Sequence, residues 1–86
     1  LEGKADMADE LDWHELAFEV YRSGWLEIRA WEGLLRDDIE YWIEELKEEL
    51  LDLKQATIAE EQNRVWLHVR EIYMLLAELR LRRKGD

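Results

Sequence analysis

At 100° per residue, Ile39, Trp42, Ile43, Leu46, Leu50 and Leu53 fall within a stripe about 100° wide, while Glu40, Glu44, Lys47, Glu48, Leu51 and Asp52 occupy the opposite side. This is the signature of an amphipathic helix. A second stripe is made by Ile58, Val65, Val69, Ile72, Tyr73, Leu76 and Leu79, with Trp66 at its margin. Placed on one continuous helix, the second stripe lies roughly 100° around from the first. A straight rod would not present both to one partner, so the pattern predicts a break near Lys54 to Thr57. Thr57 followed by Glu60 fits a capping box, in which hydroxyl and carboxylate satisfy orphan amides of the next helix.

Upstream, Leu11, Trp13, Leu16, Ala17, Phe18, Val20 and Tyr21 spread over close to 200° of a helix, wider than packing on one neighbour requires. Ser23-Gly24 is the strongest break signal, because glycine accepts the left-handed conformation that ends helices. Gly33, followed by Asp37-Asp38-Ile39-Glu40 as a second start, is the rival. The apolar direction runs on smoothly from Val20 through Trp25, Ile28, Trp31 and Leu35 to Ile39, so helical phase does not separate the two. The break at Gly24 is preferred because it gives nearly matched arms. The expected fold is all-α: an antiparallel hairpin of about 25–54 and 58–83 with an N-terminal helix of about 8–22, like a three-helix bundle and oligomeric. A break at Gly33 would give arms 8–32, 38–54 and 58–83 in the same class.

Eighty-six residues make one domain, and a chain this short buries only about 60 to 65% of the surface its unfolded form exposes. Disulfides, metals or partner chains are the usual supplements, and the absence of cysteine removes the first. A cysteine-free chain suits the cytoplasm, the expected compartment. No run approaches the apolar length of a membrane span. Leu1 to Asp6 precede Met7, which reads as the original start; residues 1–7 are expected to be a disordered or appended tail and 8–84 a single helical domain. Residues 1–63 carry 6 basic and 19 acidic side chains, whereas 64–86 carry 6 and 3. An acidic body argues against nucleic-acid binding, which needs a basic face. The late Arg80, Arg82, Arg83 and Lys84 suit a helix C-terminus, where cations complement the dipole.

Four constellations invite a chemical reading. Glu44-Glu45-x-x-Glu48 resembles the first half of the Glu-Glu-x-x-Glu plus Glu-x-x-Asp motif of all-α nucleotide pyrophosphohydrolases of the MazG type. That resemblance implies magnesium held by carboxylates from two helices, and a small metal-dependent hydrolase is the alternative function it suggests. The second motif is missing: Glu60-Glu61-Gln62-Asn63 comes nearest, with Asn in place of Asp. Glu44 and Glu48 also point away from the Leu46 and Leu50 stripe. His14 with Glu10 and His68 with Glu71 allow a two-helix zinc site to be drawn, but no third ligand is forced by spacing, and both histidines read as boundary residues. Ser23 and Thr57 are the only hydroxyl nucleophiles besides tyrosine, each at an expected helix boundary. Trp31-Glu32-Gly33 resembles the Trp-x-Gly turn of a small helical-hairpin family exported by specialised bacterial secretion. The chain is therefore not expected to be an enzyme, and no cofactor or metal is assigned to it.

A fifth constellation is aromatic. Five tryptophans, with Phe18, Tyr21, Tyr41 and Tyr73, exceed what the interior of so small a monomer holds. The expectation is a non-enzymatic interaction or oligomerisation module with Leu11, Phe18, Trp25, Trp31, Trp42 and Val65 at the interface. Its partner would be a second copy or another protein's helix, with neither nucleic acid nor membrane involved. Glu32 with Arg36, Glu60 with Arg64, and Glu78 with Arg82 are i,i+4 pairs in the favourable order, as solvated helix flanks require. A designed helical bundle without natural role is the remaining alternative, suggested by the lack of Pro and Cys.

Overall fold

A computed structural model describes the backbone of residues 2–34 and 37–85 and the side chains of 13–34 and 37–83. Among the described residues the chain forms three α-helices and no strand: α1 (Glu2–Ala30), α2 (Asp37–Ile58) and α3 (Gln62–Gly85). All three pack on one another, α2 and α3 most extensively. Of the tail expected at residues 1–7, the backbone of 2–7 lies in α1; its side chains, the interface role of Leu11 and the Glu32–Arg36 pair fall outside the described residues.

The first break is at Gly33, not at Gly24. Helix α1 runs straight through Ser23-Gly24, and the expected helices 8–22 and 25–54 are not formed as such. Gly24 serves close approach instead. A Cβ built there would lie 2.6 Å from Leu50 Cδ2 and 2.8 Å from Cδ1, so the missing side chain lets α1 settle against α2. Gly33 carries the conformational demand, with φ +82°. Ahead of it the helix tightens through Trp31 N–H to Ile28 C=O (3.1 Å) and Glu32 N–H to Arg29 C=O (3.0 Å). Leu34 N–H then closes a β-turn on Trp31 C=O (2.9 Å). A positive φ at the third residue of such a turn selects glycine. Asp37, Asp38 and Glu40 open α2 with acids at its electropositive end.

The second helix break falls where expected to within a few residues, but its chemistry differs. Thr57 is no N-cap; it lies in the last turn of α2, and its hydroxyl donates to Leu53 C=O at 2.7 Å. The turn is a Schellman motif: Glu61 N–H reaches back to Ala56 C=O (3.0 Å) and Glu60 N–H to Thr57 C=O (3.1 Å). Glu60 takes the left-handed position, with φ 57°, a role usually left to glycine. Glu61 accepts the first bond of α3 from Val65 N–H and ion-pairs with Arg64 at 2.7 Å, so Arg64 pairs with Glu61 and not with Glu60. Ile58, expected at the start of the last helix, closes α2 and stays exposed.

The core is the merger of the two predicted stripes with part of α1. Ile39, Ile43, Leu46, Leu50 and Leu53 of α2 meet Val65, Val69, Ile72, Leu76 and Leu79 of α3. Trp13, Ala17, Val20 and Trp31 close the third side, and Leu16, Tyr21, Trp25, Ile28, Trp42 and Leu75 pack around them half-buried.

Candidate interaction surface

The six residues expected at an interface go to different places. Trp31 and Val65 point inward, at 3% and 0% exposure, so they belong to the monomer's own core and present nothing to a partner. Trp42 is half-buried, its ring face covered by the Arg82 guanidinium 5.0 Å from the centroid. Phe18 is exposed and Trp25 half-buried. Phe18 and Tyr21 line an open groove of about 280 Å³ with Ala17, Leu53, Thr57 and Ile58. A second depression continues along α1 past Trp25 and Leu26.

Another exposed apolar row lies on α3, where the sequence pattern pointed only to the inner stripe. Leu67, Met74 and Leu81 recur every seven residues on the side of the helix opposite Val65, Ile72 and Leu79, and all three are exposed. Trp66 and Tyr73 flank them, also exposed. Helix α3 therefore carries apolar rows on two opposite sides, the inner one covered by α1 and α2 and the outer one exposed among Arg70, Glu71 and Glu78. The seven-residue spacing was there to be read; the strength of the inner stripe masked it.

The basic C-terminal end is tied down within the bundle. Glu27, buried at 7% exposure, accepts a hydrogen bond from the Trp31 indole N–H at 3.2 Å. Its two carboxylate oxygens also lie 3.8 Å from Arg80 Nε and 3.7 Å from Arg83 Nη2. Arg82 bridges to Asp38 (3.6 Å) and Glu78 (3.7 Å), the latter an expected i,i+4 pair. Arg83 also stands over Trp31, 5.8 Å from its ring centroid. Three of the late cations are thus engaged by acids from all three helices, beyond complementing a helix dipole.

The polar clusters rearrange likewise. Glu44 and Glu48 are exposed, as the stripe required, and Glu44 pairs with Lys47 at 3.5 Å. His14 stacks on Trp13 with ring centroids 3.7 Å apart, while its expected partner Glu10 lies outside the described side chains. His68 does not turn to Glu71 on its own helix. Its Nδ1 is 2.8 Å from Glu49 Oε1 on α2, in a part-buried contact. Asp52, one turn along from Glu49, brings the ligand atoms of Glu49, Asp52 and His68 within 4.8 Å of one another. Spacing along the chain could not reveal a pair nineteen residues apart.

These features define an all-α protein of three mutually packed helices with an exposed apolar row on the last of them. No protein-family model matches the chain, and no curated protein or solved structure matches it either. No helix among the described residues is long and apolar enough to cross a membrane.

Proposed function

We propose that the chain is a non-enzymatic helical module that associates with a second copy of itself through the outer face of α3. The observation that carries this is the pair of opposed apolar rows on α3. Leu67, Met74 and Leu81 stay exposed on a helix whose other side is buried, and Arg70, Glu71 and Glu78 around them give the row the mixed apolar and charged character of a helix–helix seam. Leu67 to Leu81 spans about 21 Å of helix, long enough for a two-helix seam. Charge favours an antiparallel seam centred on Met74, which sets Leu67 of one copy against Leu81 of the other and Arg70 against Glu78 in both directions. Within each copy, α2 and α3 form an antiparallel hairpin in this reading, supported by Asp38–Arg82 near one end and Glu49–His68 farther along.

The groove of Phe18, Tyr21 and Ile58 is the second surface for the same occupant, favoured by the 61% exposure of Phe18 and the 67% exposure of Ile58. Cysteine trapping separates the two, since the chain has no thiol of its own. Under mild oxidation at micromolar concentration, Met74→Cys should form a disulfide-linked dimer and Phe18→Cys should remain monomeric. Trapping by Phe18→Cys alone would move the seam to the groove, and trapping by neither would count against self-association.

A further inference from the structure

We infer that Glu49, Asp52 and His68 form a binding site for a zinc-class divalent ion that clamps α2 to α3. The three donors come from two packed helices, Glu49 and Asp52 three residues apart on α2 and His68 across from them on α3. Their ligand atoms already lie within 4.8 Å of one another. An ion about 2.0 to 2.2 Å from each donor needs them roughly 3.3 Å apart at tetrahedral angles. The 2.8 Å Glu49–His68 contact has to open by only about 0.5 Å, and exposed Asp52 is free to swing inward.

The donor set selects the metal. An imidazole nitrogen beside two carboxylates suits zinc and its first-row neighbours, whereas magnesium demands an octahedron of oxygens. Charge points the same way: two carboxylates neutralise a divalent cation, and the chain as a whole carries a net charge of -10. Burial is graded suitably. The His68 and Glu49 side chains are only 13% and 23% exposed and held in register by packing, while Asp52 faces solvent and provides access. Three protein ligands leave a fourth position for water. Such a clamp would act on a small core that no disulfide supports.

Isothermal titration calorimetry of the full chain with zinc chloride tests this directly. One equivalent should bind, with the melting temperature rising as zinc is added and staying unchanged with a tenfold higher concentration of magnesium. Glu49→Gln, which keeps a hydrogen-bond acceptor beside His68, and His68→Ala should each weaken zinc binding by about tenfold or more. Glu44→Gln, away from the cluster, should bind as the parent does. Absence of saturable zinc binding by the parent would overturn the assignment. So would unchanged affinity in Glu49→Gln, whose near-isosteric side chain leaves the fold intact.

Discussion

Replacing Gly24 by alanine sets two known effects against each other, and the geometry decides between them. In an exposed helix interior the change would stabilise by about 0.8 to 1 kcal/mol, because alanine loses less backbone entropy. Here the new methyl would stand 2.6 Å and 2.8 Å from the two Leu50 methyls and 3.1 Å from Cγ, against an ordinary carbon contact of about 3.5 to 4.0 Å. Leu50 is fully buried, so neither of its methyls can swing into solvent; α1 must move off α2 by a few tenths of an ångström or Leu50 must leave its rotamer. Overpacking of that kind costs about 1 to 3 kcal/mol. The net expectation is a loss of about 1 kcal/mol, or roughly 4 to 8 °C in melting temperature for a domain of this size. Leu50→Ala alone should cost about 2 to 5 kcal/mol through the cavity it opens. In the double variant the methyl added at position 24 gains room, so the pair should be more stable than the sum of the singles by about 1 kcal/mol or more. Urea unfolding followed by circular dichroism at one fixed protein concentration measures all four corners of the cycle. Stabilisation of the single Gly24→Ala variant, or strict additivity with Leu50→Ala, would falsify close helix approach as the reason for that glycine.

Glu60→Gly should stabilise by about 0.5 to 1 kcal/mol in the same assay, because glycine occupies the left-handed Schellman position without the steric cost Glu60 bears at φ 57°. Thr57→Ala should cost less than about 0.5 kcal/mol, since its hydroxyl only duplicates a helical acceptor at Leu53; a loss near 1 kcal/mol would restore the capping role the sequence suggested. Glu27→Ala should cost about 2 to 3 kcal/mol by stranding the buried Trp31 indole N–H. Glu27→Gln should cost about 1 kcal/mol or less, because it retains an acceptor and the arginines it no longer neutralises are half exposed. Comparable losses in the two variants would place the importance of Glu27 in its charge.

Helix α2 and the inner stripe of α3 were legible in the sequence because burial on one side writes itself as periodicity: Ile39, Ile43, Leu46, Leu50 and Leu53 were all expected inside and are. The choice between Gly24 and Gly33 was not legible. Both glycines lie on one smooth apolar direction, and what separates them is the residue opposite, Leu50, a tertiary fact. The Thr-x-x-Glu pattern misled in a similar way: with no Gly or Asn available in the turn, Glu60 itself took the left-handed position and the cap moved to Glu61. Assigning Trp31 and Val65 to an interface treated apolar bulk as surplus, yet Trp31 finds an acceptor for its indole in buried Glu27, and Val65 seals the start of α3. The pairing of His68 with Glu49 lay beyond any local pattern, whereas the outer stripe of Leu67, Met74 and Leu81 was a periodic signal eclipsed by a stronger one.

The most direct test of the uncovered α3 face is the molar mass of the unmodified chain by sedimentation equilibrium across the micromolar range. Self-association through this face gives a concentration-dependent rise toward twice the 10.5 kDa chain mass, abolished by Met74→Glu while helical content is retained. A constant 10.5 kDa throughout, or a dimer indifferent to Met74→Glu, would contradict it.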